Sequence, residues 1–228
     1  MSGAAFLALW NDLARGREAE YDTWHTREHL PERVAAPGFR GGRRYVAPAH
    51  PAHRWFTLYD VEDPGAFETP EYADLLRNPT SWSASMRPDF RNFLRVPCTT
   101  LAESGFGLGG ALAVLRLPNE SACHALDELA HLHGVVGARL GLRAGPDHAT
   151  GGFRAGTGGS GASDAFTTVL VLDALDRASA ERAFALAAAR FLAAGAEPLR
   201  LGGVYGLAFV FPGRDPQERL RHRRPHWA

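Results

Sequence analysis

Residues 21–39 read YDTWHTREHLPERVAAPGF, a helix-forming run in which His25 and His29 bracket Glu28, with Trp24 before them and Pro31 after. An imidazole titrates near neutrality, so it can give or take a proton, and a carboxylate beside it can orient the ring or tune it. The spacing His25-x-x-Glu28-His29 also puts two imidazoles one helical turn apart, as in metal-binding helices whose glutamate is the base. At about 100° per residue, Tyr21, Trp24, His25, Glu28 and Glu32 share one stripe, His29 borders it, and Leu30 and Val34 fall in another sector. Facing water, that stripe would expose Trp24 for no gain. Facing a sheet, it would carry a histidine and a carboxylate into a partly buried place, where desolvation shifts pKa values and unpaired polar groups are costly. A polar cluster on an inward helix face is a candidate functional site.

The bulk of the chain narrows the chemistry. At 228 residues, with 45% hydrophobic and 22% charged content, the sequence suits one large or two small domains with a sizeable core. The formal net charge is zero, so no global field draws nucleic acid or a membrane surface. No apolar run approaches the roughly 20 residues that span a bilayer. The start, MSGAAFLALWNDLARG, reads as a first strand and not as a signal peptide. With only Cys98 and Cys123, a disulfide framework is not expected and the cytoplasm is the expected compartment. All 25 basic residues are arginine, which excludes Schiff-base chemistry, pyridoxal phosphate attachment and a P-loop lysine on this chain.

The elements that must position the histidines follow from patterning. Strands are expected over 6–13, 37–48, 53–63 and 97–103, and helices over 17–36, kinked at Pro31, and over 64–78; residues 79–96 read as an irregular or short-helical connection. The order β-α-β-β-α-β then recurs, with strands over 110–118, 134–147, 165–176 and 198–211 and helices over 119–133 and 177–195. The landmarks YDVEDPGAF and VLDALDRAS match between the halves. This predicts an α+β protein, a tandem duplication of a ferredoxin-like unit whose two antiparallel sheets form an α/β-barrel-type pair. The expected units are 1–109, which carries the candidate site, and 110–211, followed by a basic tail over 212–228. The glycine-rich stretch 151–163 reads as a flexible loop.

YDTWHTREHLPERVAAPGFRGGRRY resembles the helix-and-strand signature of EthD-like proteins of the dimeric α/β-barrel superfamily. These have a Trp and a His on the first helix, a Pro after the His, and a Pro-Gly turn into a strand ending in Arg-Tyr. The resemblance covers about 25 residues closely and the first half in outline. It implies ferredoxin-like units around an apolar pocket, with Trp24, His25, His29, Arg44 and Tyr45 in or beside it. Relatives include polyketide cyclases, muconolactone isomerases and cofactor-free monooxygenases. Haem-binding relatives share the two-unit plan, but no haem-ligand motif stands out here.

Three function classes stay open at this point. In the first, a cofactor-free enzyme moves protons on a small apolar or aromatic molecule. His25 or His29 is then the acid or base, Glu28 orients it, Arg44 holds a carboxylate or enolate oxygen, and Tyr21, Trp24 and Tyr45 form the wall. Cyclisation, isomerisation and oxygenation all fit, with no cofactor, no metal and no nucleic-acid or membrane partner, in a monomer or homodimer. In the second, zinc sits on His25 and His29 with Cys98 or Glu103 as third ligand. In the third, a non-catalytic binding or structural protein uses His25 and Glu28 as a helix-surface pair, Tyr21 and Trp24 as core, and Trp82, Phe90 and Phe93 as packing between the halves.

Overall fold

Strands covered on both faces must be apolar on both faces, and the strings ALAVLRL and TVLVLDA, buried at every position, show that condition here. The computed structural model describes residues 3–144, 166–193 and 195–213. The strands are β1 (Ala5–Leu13), β2 (Phe39–Val46), β3 (Trp55–Val61), β4 (Phe90–Gly105), β5 (Ala111–Leu117), β6 (Val135–Arg143), β7 (Thr168–Ala174) and β8 (Gly202–Pro212). They close into an eight-stranded barrel in the order β1-β3-β2-β8-β5-β7-β6-β4. Every neighbouring pair is antiparallel.

The order within each half is the same: β2-β3-β1-β4 in the first and β6-β7-β5-β8 in the second. Two seams join the halves, β2 to β8 and β4 to β6. Closure leaves no free sheet edge. Alternation along each strand then divides the side chains. Phe6, Ala8, Trp10, Tyr45, Phe56, Leu112, Val171 and Tyr205 fill the barrel interior. Their sequence neighbours face outward beneath a helical layer.

That layer is built from α1 (Glu18–Trp24), a π-helical turn over His25–His29, α2 (Leu30–Val34), α3 (Pro70–Arg77) and α4 (Ser81–Met86) on the first half. The second half carries α5 (Leu126–Ala130), α6 (Arg177–Phe191) and α7 (Pro198–Leu201). On the second half the layer is packed with small and aliphatic side chains, Ala180, Ala183 and Ala187 of α6 lying against Leu115, Leu170 and Leu172. Asp176 caps α6 by accepting from the Ser179 amide at 2.8 Å.

Several boundaries differ from expectation for identifiable reasons. Pro31 does not break the first helix. It has no N–H to give and its ring would press on the carbonyl four residues back. The π turn takes up the extra residue just before it, the Leu30 amide reaching back to the His25 carbonyl. The turn re-phases α2 against α1, so Leu30 and Val34 also reach the sheet, packing with Phe39 and Tyr59. The connection expected over 79–96 holds α4, and β4 starts at Phe90 instead of Val96–Pro97. FRNFLRV reads poorly as a strand because Asn92, at φ 48°, bulges it where the register against β1 shifts. The 198–211 strand is α7 followed by β8. The 151–163 stretch and residues 214–228 of the tail lie outside the described residues. No helix among the described residues is long and apolar enough to cross a membrane.

Gly141 lies where β6 passes closest to the interior. A methyl group there would sit 2.3 Å from the Phe6 ring and 2.7 Å from the Cys98 Cβ. Gly141→Ala is therefore expected to destabilise the fold by about 1–3 kcal/mol through overpacking. Adding Phe6→Leu should return part of the loss, a coupling measured by chemical denaturation of the single and double variants. Additive losses would show that the two side chains do not compete for that space.

Candidate functional site

Between the outer face of β1, β3 and β4 and the helices of the first half lies a cleft. Its free space is about 700 Å³ counting the open mouth, yet the centres of water-sized molecules can occupy only about 60 Å³ of it. It is a narrow slot with an open mouth, and a ligand larger than a single ring has to widen it on entering. Leu9, Thr57 and Tyr59 form the floor; Tyr21, Trp24, His25 and His29 form the roof; Phe90 and Phe93 close one side. All of these come from the first half of the chain.

The roof rings are in contact. Trp24 and His29 have centroids 4.3 Å apart, His25 and His29 5.3 Å, and Tyr21 and His25 5.2 Å. Tyr21 is buried and donates its hydroxyl to Asn11 Oδ1 at 3.2 Å. His25, 3% exposed, has Nε2 3.4 Å from Thr57 Oγ1. The buried Nδ1 atoms of His25 and His29 have no hydrogen-bond partner, nor do Asn11 Nδ2 and the Tyr59 hydroxyl. Four buried polar groups on the wall of one cleft are thus left for something that enters it, since an orphaned buried group costs about 1–3 kcal/mol.

Both imidazoles are held neutral. Burial pushes the His25 pKa well below 6.5, and the positive charges of Arg44 and Arg33 push it further the same way. Burial does the same to His29, helped by Arg33, His25 and Arg87. Tyr21 and Tyr59 are raised, again chiefly by burial, and remain phenols. In the tautomer that donates from Nε2 to Thr57, His25 keeps its lone pair on Nδ1.

Glu28 lies behind the roof. Its Oε1 accepts from Trp24 Nε1 at 3.2 Å, from Ser83 Oγ at 3.0 Å and from Thr80 Oγ1 at 2.5 Å. These bonds tie α1 to α4 and fix the Trp24 plane; the carboxylate is directed at Trp24, Thr80 and Ser83 and away from a role as partner of His25. Arg44 flanks the cleft without lining it. It donates to the Asp22 carbonyl at 3.1 Å, pairs with the Asp22 carboxylate at 3.3 Å and lies 5.9 Å from the Tyr21 ring centre. Tyr45 is on the other side of the sheet. It points into the barrel, where its hydroxyl accepts from Arg43 at 3.2 Å and faces Asp173 at 3.5 Å.

The third zinc ligand is not supplied. Cys98 faces the barrel interior with Phe6 and Val96, its thiol pKa raised by burial, and Glu103 is an exposed side chain paired with Arg139. Among the described residues no three His, Cys, Asp or Glu side chains gather where they could hold a metal. Phe90 and Phe93, expected only as packing, also line the cleft. Sequence reasoning gave no functional role to Asn11 or Arg33 and did not single out Thr57, Tyr59, Arg87 or Arg95. The available signal was a polar residue on an otherwise apolar strand, Asn11 in FLALWNDL and Thr57 in WFTLYDV.

No protein-family model matches the chain, and no curated protein matches it. Several solved structures share its architecture. An anthrone oxidase-like protein superposes with a TM-score of 0.56 at 9% identity, covering 93% of this chain and 94% of its own. A candidate monooxygenase from Fusobacterium nucleatum subsp. nucleatum ATCC 25586 does so with 0.55 at 8% identity, covering 93% and 96%. The fold shared with them is an α+β barrel. At such identities the likeness concerns the fold alone.

Two outcomes follow from the geometry. An unfolded histidine titrates near 6.5, so below that pH the unfolded chain binds protons that neutral, buried His25 and His29 refuse. Stability should fall as pH drops through 6.5, each ring steepening the loss by at most about 1.4 kcal/mol per pH unit. Melting curves from pH 7.5 to 5 on wild type and a His25→Gln, His29→Gln variant should differ by that slope; identical curves would mean that the rings are not held neutral. Separately, Glu28→Ala strands the Thr80 and Ser83 hydroxyls, Trp24 Nε1 keeping its bond to Ser83 Oγ at 3.2 Å, and should cost about 1–3 kcal/mol with a change in tryptophan emission.

Proposed function

We propose that this chain is a cofactor-free enzyme doing acid–base chemistry on a small, flat, apolar or aromatic molecule, with oxygenation the reaction best supported. The observation that carries the reading is the pair of buried neutral imidazoles, each with an unpartnered Nδ1, in the aromatic roof of the cleft beside Tyr21 and Trp24. The names of the two structural neighbours favour oxygenation over cyclisation or isomerisation.

The chemistry starts with a substrate whose ring system lies in the slot against Trp24 and Phe90. His25 Nδ1 takes a proton from an activated carbon. A neutral imidazole surrounded by arginines is a poor base until an anion forms beside it, and the carbanion left by that proton is such an anion. The ion pair of imidazolium and enolate is then stabilised together, where neither ion alone would be. Dioxygen adds to the electron-rich carbon, the O–O bond breaks, and the carbon becomes a ketone. For an anthrone the balance is one anthrone and one dioxygen giving one anthraquinone and one water: the methylene loses two hydrogens and gains one oxygen, and dioxygen is the oxidant. His29, stacked on Trp24, returns or relays the proton. Glu28 acts as a positioning residue through Trp24, and Arg44 through its field at His25.

The reading extends to the whole chain as an EthD-like protein of two fused ferredoxin-like units, 1–109 and 110–211, a monomer or homodimer in the cytoplasm that holds no resident cofactor or metal. The repeated strand order supports the two units, and the aliphatic packing of α6 on the sheet of the second half, with no buried polar cluster in it among the described residues, supports a single site.

The test is oxygen uptake with anthrone as substrate, followed by quinone absorbance. Wild type should consume one dioxygen per quinone formed, and His25→Ala should lose about 100-fold or more of the rate, with its far-ultraviolet circular dichroism unchanged. Anthrone binding without turnover would support a non-catalytic binding protein instead. Turnover undiminished in His25→Ala would remove the base assigned here.

A further inference from the structure

Three polar side chains lead across the cleft wall to His25. Asn11 on β1 and Thr57 on β3 are diagonal neighbours on the outer face of the sheet, because Leu9 pairs with Thr57 and Asn11 with Trp55. Diagonal neighbours lie roughly 7–8 Å apart, a gap that one further polar group bridges. Tyr21 reaches into that gap from α1. Its hydroxyl donates to Asn11 Oδ1 at 3.2 Å. Burial raises the Tyr21 pKa, and a hydrogen bond donated to its oxygen by Thr57 works in the opposite sense. Thr57 Oγ1 in turn lies 3.4 Å from His25 Nε2. None of these side chains is more than 3% exposed.

We infer that Asn11 is a positioning residue, acting through Tyr21 and Thr57 to keep the proton of neutral His25 on Nε2 and the lone pair on Nδ1. The inference rests on the acid–base reading above and names what prepares its base. Direction decides the tautomer. A hydroxyl gives one proton and accepts on its lone pairs, whereas an amide oxygen only accepts. With Asn11 Oδ1 at the end of the chain, Tyr21 donates to it. The Tyr21 oxygen takes the Thr57 proton. Thr57, having given its only proton, meets His25 Nε2 as an acceptor, so Nε2 carries the hydrogen.

The reversed chain is the less favourable one. Tyr21 would donate to Thr57 and Thr57 to Nε2, leaving Asn11 Oδ1 without its donor. The ring proton would move to Nδ1, which is buried and has no partner. A buried N–H with no acceptor costs about 1–3 kcal/mol. A competing role for the Tyr21–Asn11 bond is to fasten α1 to β1. Fastening would fix where the His25 ring sits and leave open which nitrogen holds its proton.

The experiment is nitrogen-15 NMR of the histidine rings of the intact chain at pH 7.5, which separates a protonated ring nitrogen from a bare one. A His25→Gln variant assigns the His25 signals. Wild type should show the His25 proton on Nε2. Asn11→Leu leaves Tyr21 with Thr57 as its acceptor, reverses the chain and should move the proton to Nδ1. Adding Thr57→Val to Asn11→Leu removes the messenger and should return the proton to Nε2, the form a neutral imidazole prefers when nothing directs it. Tyr21→Phe serves should Asn11→Leu fail to fold, since Thr57 then has only Nε2 to donate to and the proton should again move to Nδ1. A proton that stays on Nε2 in these single variants, or that Thr57→Val does not return, would overturn the inference and leave the acid–base reading standing. A wild-type proton on Nδ1 would overturn both, because the assigned base would have no lone pair there.

Discussion

The central strands of the closed barrel are covered on two sides, by its own interior and by helices, so the outward-facing side chains beneath the first-half helices are either packed or enclosed in a cleft. That constraint separates the two halves. Beneath α6 the outward positions are aliphatic and the alanine face of the helix lies flat on them. Beneath α1 and the π turn the outward positions include Asn11, Thr57, Tyr59 and Arg95, whose polar atoms keep the layers from closing and leave a slot. Burial then does the rest: it neutralises both histidines and leaves their Nδ1 atoms unpaired. The same dehydration that costs stability makes the rings responsive to whatever enters.

The roof is held at its distance by two devices. The π turn ahead of Pro31 carries an extra residue and keeps both imidazoles on the cleft side while Leu30 and Val34 return to the sheet. Glu28 gathers Trp24, Thr80 and Ser83 on one carboxylate oxygen and so welds α1 to α4. Irregular helical turns of this kind recur at functional sites, where regular geometry would misdirect a side chain.

Much of this was legible in the sequence. The element order, the alternation of apolar residues and the aromatic-histidine stripe follow from period and residue type, and Tyr21, Trp24, His25 and His29 do meet at one cleft. What period alone could not give is the direction of side chains after an irregularity. A uniform helical wheel put Leu30 and Val34 in a separate sector because it has no π turn, and Asn92 hid the start of β4. The Arg44-Tyr45 pair shows the strictest case: adjacent strand residues point to opposite faces, so the two could not share a pocket. Arg44 stays beside the cleft while Tyr45 enters the barrel. Glu28 reads as a partner of histidine because the two are close in sequence; its partners Thr80 and Ser83, at the start of α4, are 52 and 55 residues away, which spacing cannot reveal.

The most direct test of the account is nitrogen-15 NMR of the imidazoles at pH 7, in the free protein and in an oxygen-free complex with anthrone. The account predicts that both rings are neutral in the free state and that anthrone shifts the Nδ1 signal of His25 most strongly. Charged rings in the free protein, or anthrone binding that leaves His25 unchanged, would contradict it.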